Sequence, residues 1–321
     1  MRLPVEINET PDRLSTTFAR CRSEGRAALV TYVMAGDPDV KTSMAMALAC
    51  VQGGADILEL GMPFSDPMAD GPTLQRASER SLAAGTTLDD CLRVAAEVRK
   101  KSDVPIALMG YVNPVLSYGE ARFLDRCKEA GVDALILPDL PPEEARELGQ
   151  LAHERGISTV FLLAPTSTEP RRKAAGAAAT GFIYFVSVTG VTGARTELPP
   201  DIDQQLAEVR ASSPVPVVVG FGVSTPAQAS ALGKLADGVV VGSAIVSRVA
   251  EGGAQKARAE RVAKFVRSLR GALAAPGETK AKAPPRSKPG SKPAGKMKPT
   301  AKSPVGPPTT ARAKPSRGKR G

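Results

Sequence analysis

The chain has 321 residues, 42% of them apolar and 24% charged, with a single histidine and no tryptophan. That is a globular composition, long enough for one large domain or two ordinary ones, and no stretch approaches the roughly 18 consecutive apolar residues of a membrane span. The net charge of +10 is uneven: residues 276–321 hold 13 Lys and Arg against one acid, Glu278, a surplus of +12, which leaves residues 1–275 near neutral at −2.

The N-terminal Met-Arg-Leu-Pro-Val-Glu lacks the long apolar core of a signal peptide. Cys21, Cys50, Cys91 and Cys127 lie far apart, without a CxxC pair. Both features fit a cytoplasmic protein whose thiols stay reduced.

Along the body, short apolar and β-branched runs alternate with stretches of helical period. A helix is expected over about 12–23, ahead of the first strand and placed to plug the floor of a barrel. Strands are expected at 28–34, 57–61, 105–109, 134–138, 158–163, 182–188, 215–220 and 238–242. Between the first two, Met44, Ala47, Leu48 and Val51 recur at i, i+3, i+4 and i+7, an amphipathic helix over 40–53. Thr225-Pro226-Ala227-Gln228 is a capping box with proline at the first helical position. Continuous apolar strands alternating with helices imply a parallel sheet covered by helices. Eight such units over about 250 residues make a (β/α)8 TIM barrel. The rival, an open doubly wound sheet, calls for a glycine fingerprint after strand one. The chain has Ala35-Gly36-Asp37-Pro38 there. Residues 1–275 are therefore expected to form the barrel. Residues 276–321, with ten prolines and few large apolar side chains, are expected to be a disordered basic tail.

A barrel of this kind carries its site at the C-terminal strand ends. Strand two, Ile57-Leu58-Glu59-Leu60-Gly61, contains a carboxylate that is expensive to bury, and Asp70 follows in the next loop. These two are the candidates for acid–base catalysis. Other chemistries drop out by residue type. His153 lies in a helical stretch, so a histidine metal site or a Ser-His-Asp triad has no histidine to use. The body's lysines fall in helices or before strands, where an imine-forming lysine would not sit. Asp66, in Ser65-Asp66-Pro67, reads as a turn or interface residue. Asp139 reads equally as a substrate contact or as a loop-positioning group. Gly220-Phe221-Gly222 and Gly242-Ser243 end strands seven and eight, the usual place for a barrel phosphate site. The long connection after strand six, 187–200, reads as a plain surface loop or as a lid over the mouth.

Leu58–Pro72, Ala164-Pro165-Thr166-Ser167-Thr168, Val188–Gly193, Gly220–Val223 and Val241-Gly242-Ser243-Ala244 together resemble the tryptophan synthase alpha chain family, in family order over roughly residues 12–272. The first motif is highly specific; the glycine loops are shared with other phosphate-binding barrels. The resemblance implies a lyase of tryptophan biosynthesis that cleaves indole-3-glycerol phosphate to indole and glyceraldehyde 3-phosphate by a retro-aldol reaction. It implies Glu59 as the acid–base residue and Asp70 as the partner of the indole N–H. Tyr184 matches a site tyrosine, and Thr192 a lid threonine reaching toward Asp70. Gly193, Phe221, Gly222, Gly242 and Ser243 match the phosphate and substrate shell. Tyr32 stands at the indole-pocket wall where phenylalanine is common. It further implies an alpha2beta2 complex with a beta subunit that carries pyridoxal phosphate, this chain holding no cofactor and no metal. The Asp66-Pro67 loop and the segment around Asn113-Pro114 would face that partner.

Two alternatives remain at this level. One is another phosphate-binding barrel, such as a sugar-phosphate isomerase or epimerase. The other concerns the tail, which either binds nucleic acid unspecifically or is a solubilising extension.

Overall fold

Asp12 opens the first helix: its carboxylate accepts from the Ser15 N–H at 2.7 Å and caps α1 (Arg13–Ser23). The structure is a computed structural model that describes residues 12–186 and 201–274. β1 (Ala28–Met34), α2 (Val40–Gly53), β2 (Ile57–Gly61), α3 (Pro72–Ala83), α4 (Leu88–Arg99) and β3 (Ile106–Met109) follow. Next come α5 (Val112–Tyr118), α6 (Glu120–Ala130), β4 (Ala134–Ile136), α7 (Arg146–Glu154), β5 (Ser158–Leu163), α8 (Glu169–Ala178) and β6 (Ile183–Val186). The chain continues through α9 (Ile202–Ala211), β7 (Val217–Gly220), α10 (Pro226–Gly233), β8 (Gly238–Val241), α11 (Ser243–Ala250) and α12 (Gln255–Ala274). The strands pair in parallel in chain order, and β8 returns to β1, closing an eight-stranded barrel. The fold is the expected (β/α)8 TIM barrel with an extra N-terminal helix.

Some expected edges shift. The strand expected to reach residue 138 ends at Ile136, ahead of Pro138, which has no N–H to give to a ladder. In α2 the deepest side chains are Met46, Ala47, Ala49, Cys50 and Gly53, while Met44, Leu48 and Val51 are only partly buried. The helix is covered by the barrel wall and by two neighbouring helices, α4 and α12, so its buried surface is wider than the expected stripe. Gly53 permits that approach: a Cβ there would lie 2.6 Å from Val266 Cβ.

The barrel interior holds Ala28, Val30, Ile57, Ala107, Ala134, Ile136, Val160, Phe182, Tyr184, Val218 and Val240. Leu14, Phe18 and Cys21 of α1 belong to the same cluster, and Phe18 meets Phe182 edge-on at 5.9 Å. α1 thus plugs the floor, as the sequence led us to expect.

The floor also carries a device repeated four times. Just before each even-numbered strand, one residue exchanges two hydrogen bonds with one residue of the preceding strand or its neighbour. Asp56 N–H donates to Leu29 O at 2.8 Å, and Leu29 N–H donates to the Asp56 carboxylate at 2.9 Å. Asp133 does the same with Ile106, Asp237 with Val217, and Thr180, through its hydroxyl, with Thr159. Arginines complete the acids. Arg26 grips Asp56 through two bonds of 2.6 and 2.8 Å, and Arg20 adds a third at 3.0 Å. Arg13 and Arg99 hold Asp133 at 2.9 and 2.6 Å.

Candidate active site

Strand alternation decides which side chains reach the mouth. Tyr32 on β1 and Glu59 on β2 are register partners. Tyr32 packs with Met34, Leu74, Ala77 and Val246 above the interior cluster. Glu59 is 1% exposed, and neither of its carboxylate oxygens has a hydrogen-bond partner. An ionised carboxylate in that position would be severely undersolvated. Burial, reinforced by the nearby Asp70, pushes its pKa up to about 8, so the group is a protonated acid at neutral pH.

Asp70 lies in the loop after β2 and is 8% exposed. Burial pushes its pKa up to about 6, against a hydrogen bond from Tyr111 that pulls it down. The two acids therefore differ: near pH 7 one keeps its proton and the other has lost it. Tyr32 and Tyr184 feel both acids. Burial first, then those charges, holds their hydroxyls well above the ordinary phenol value, so both stay neutral.

The strand-end glycines have a second reason to be glycine. A Cβ at Gly61 would stand 2.0 Å from the Tyr32 hydroxyl, one at Gly220 2.4 Å from Tyr184 Cε2, and one at Gly242 3.4 Å from Tyr32 Cβ. The two tyrosines lie across the ends of β2, β7 and β8. Gly222 takes a left-handed backbone, φ +67°, which favours glycine. Gly242 caps α11 and Ser243 begins it, which leaves the first N–H groups of that helix aimed at the mouth. After β7, Gln228 Oε1 accepts from the Ser224 and Thr225 N–H groups at 2.9 and 3.2 Å, so those two donors are spent within the loop. Phe221 packs on Phe185 at 5.5 Å, in the layer between sheet and helices; at the mouth it can offer only backbone. Across from β2, a cavity of ≈ 330 Å³ opens over β5 and β6, lined by Leu162, Ala164, Thr166, Ser167, Arg171 and Val186.

Glu59, Asp70, Tyr32 and Tyr184 are brought together, with Gly242 against Tyr32. Thr192 and Gly193, and the whole 187–200 connection, lie outside the described residues, as does the tail. Asp139 acts on a loop: both of its carboxylate oxygens accept from the Val112 N–H, at 3.0 and 3.1 Å. Asp66 is exposed and takes the Ser65 hydroxyl at 2.6 Å. His153 is exposed on α7, and the lysines among the described residues lie in helices or in the turns before strands. Among the described residues no three His, Cys, Asp or Glu side chains cluster to hold a metal, and no helix is long and apolar enough to cross a membrane. Sequence reasoning missed Tyr111, whose hydroxyl reaches Asp70. Its signal was available: an aromatic residue directly after Gly110 at the mouth end of β3.

Comparison with known proteins agrees with this geometry. The sequence model of the tryptophan synthase alpha chain matches residues 18–274. The Pelobacter propionicus tryptophan synthase alpha chain is 50% identical over 262 residues, covering 82% of this chain and 98% of that one. The Geobacter sulfurreducens alpha chain is 51% identical over 261 residues, 81% and 98% of the two chains. Among solved structures, Mycobacterium tuberculosis tryptophan synthase superposes with a TM-score of 0.76 at 38% identity, covering 82% of this chain and 99% of that chain. The Legionella pneumophila alpha chain gives 0.76 at 34% identity, covering 84% and 100%. With a match over most of the barrel and relatives sharing half its residues, this chain belongs to the tryptophan synthase alpha chain family.

Proposed function

We propose that the mouth cleaves indole-3-glycerol phosphate to indole and glyceraldehyde 3-phosphate, a carbon–carbon lyase step in tryptophan biosynthesis. The observation that carries this is Glu59: a buried carboxyl with no partner for either oxygen, beside a second acid of lower pKa. Glu59 gives its proton to indole C3. The ring becomes a cationic electron sink, and Asp70, ionised, accepts the hydrogen bond of the ring N–H as charge develops there. The bond from C3 to the glycerol chain breaks and its electrons return to the ring. The adjoining hydroxyl becomes the aldehyde, and its proton restores the acid. Each atom balances without a redox partner.

Tyr32 and Tyr184 wall the indole side. The amides at Gly222 and at the start of α11 suit the phosphate. By the same reading Thr192 and Gly193 belong to a lid over the mouth. The sugar-phosphate isomerase alternative is not favoured, given the family. The reaction needs no cofactor from this chain; pyridoxal phosphate belongs to a beta subunit in an alpha2beta2 complex, in the cytoplasm. Met68 at 90% exposure and Leu116 at 51% stand on the Asp66-Pro67 loop and on α5, the two segments assigned to that partner. The barrel, 1–275, carries the activity, and the tail is a separate extension, solubilising or unspecifically nucleic-acid binding.

The test is direct: incubate the purified chain with indole-3-glycerol phosphate, with and without a beta subunit, and follow indole. Release that is abolished by Asp70→Asn while the fold survives is the expected result. Absence of release under both conditions rejects the assignment. Deleting 276–321 should leave turnover unchanged.

A further inference from the structure

Tyr111 follows β3 and is the residue from which α5 starts. It is 6% exposed, and its ring stacks on Phe64 with centroids 5.0 Å apart and planes 26° apart. Phe64 is itself fixed to α3, its N–H and carbonyl both bonded to the Ser78 hydroxyl at 2.7 Å. On the other side, Asp139 holds the amide that follows Tyr111. The phenol is therefore fixed from both flanks. Its oxygen accepts the Ala69 N–H at 2.9 Å. That leaves the hydroxyl one proton to donate, and the Asp70 carboxylate, next in the chain to Ala69, is the acceptor it faces. Asp70's own backbone is engaged elsewhere, its N–H on Pro67 O at 3.0 Å and its carbonyl on Gln75 Nε2 at 2.9 Å.

We propose that Tyr111 is a positioning residue for the reaction: one hydroxyl clamps the catalytic loop at Ala69 and holds the neighbouring Asp70 carboxylate in its working orientation. The proposal rests on the role given to Asp70 above. The other groups facing Asp70 are Glu59 from β2, Tyr32 from β1 and Tyr184 from β6. None is a cation, so the Tyr111 proton is what opposes burial at this carboxylate. Asp139 faces Tyr111 itself and, with burial and Asp70, keeps the phenol neutral and able to donate.

A residue that only packs would serve as well with phenylalanine. Tyr111→Phe keeps the ring and its stack on Phe64 and deletes both the proton offered to Asp70 and the acceptor of the exposed Ala69 N–H, which water can replace. In the full chain, indole release measured from pH 5 to 9 should lose about fivefold in kcat at pH 6, with KM nearly unchanged and the loss shrinking toward pH 7.5. The acidic limb of the profile should move up by about one pH unit. Carboxyl titration by NMR reads the same quantity without turnover: the Asp70 midpoint rises in the variant. A profile that superimposes on wild type, a loss uniform at every pH, or an unmoved Asp70 midpoint overturns the proposal. If wild type releases no indole, the functional reading fails instead, and the titration still decides the role of Tyr111.

Discussion

The barrel treats its acids in opposite ways at its two ends. On the floor, Asp56 is as deeply buried as the acid of the mouth, 3% exposed against 1% for Glu59. Burial alone would push Asp56 up. The Arg26 fork, the Leu29 amide and Arg270 outweigh it and hold its pKa below the usual carboxylate range. Glu59 has no such company and is pushed up to about 8. Burial is common to both, so what separates them is the supply of donors. The difference teaches that satisfied bonds mark a structural acid, and that their absence is what makes a buried acid a candidate for chemistry.

The largest expected effect breaks the pair at the mouth. Glu59→Gln should lower indole release by about 10²–10⁴-fold, the usual worth of a positioned proton donor. The same variant should raise stability at alkaline pH. A carboxyl whose folded pKa is raised supports the fold below its unfolded value and loses that support as pH rises through about 8; removing it should gain about 5 kcal/mol at pH 9 and almost nothing at pH 4. Thermal unfolding at the two pH values measures it. A Gln variant no more stable than wild type at pH 9 would put Glu59 in company with Asp56.

On the floor the sign reverses. Asp56→Ala strands Arg26 in the interior and frees the Leu29 amide, and should cost about 3–5 kcal/mol in a denaturant titration. The folded fraction should keep its turnover. Because the pKa of Asp56 is lowered, its contribution is present above the unfolded value and lost as acid carries the pH through the folded one. Next in size is Gly220→Ala, whose new methyl meets the Tyr184 ring. It should cost about 1–3 kcal/mol by overpacking, and it should weaken substrate binding as well, read as a higher KM. The smallest effect is Thr180→Val, which removes the one clamp of the four built on a hydroxyl. At that exposed position water can replace the lost acceptor, and about 1 kcal/mol is expected.

Much of this was legible in residue order. The eight strands and the plugging helix follow from the beat of β-branched runs and helical period, and Glu59 announces itself as a charge inside an apolar strand. What was not legible depends on distance across the fold. The steric need for glycine at 61, 220 and 242 appears only once Tyr32 and Tyr184 are seen lying over other strands. The arginine partners of Asp56 and Asp133 come from α1, α4, α12 and the turn before β1, the farthest being Arg270, more than half the chain away from Asp56. In α2 the helix was read correctly, but of the stripe named only Ala47 is fully buried, because α4 and α12 pack on the helix and shift its deepest face toward Met46, Ala49 and Cys50. Asp139 stood equally between substrate and loop on sequence grounds; its partner at the Val112 amide is visible only in the fold.

The helix that seals the bottom has a consequence for traffic. With Leu14, Phe18 and Cys21 wedged among the lower side chains, the barrel is a cup and not a pipe. Whatever the reaction liberates must leave over the rim, on the side where it came in. Any handover to a second protein has to be arranged around that lip, which is where the exposed Met68 and Leu116 stand.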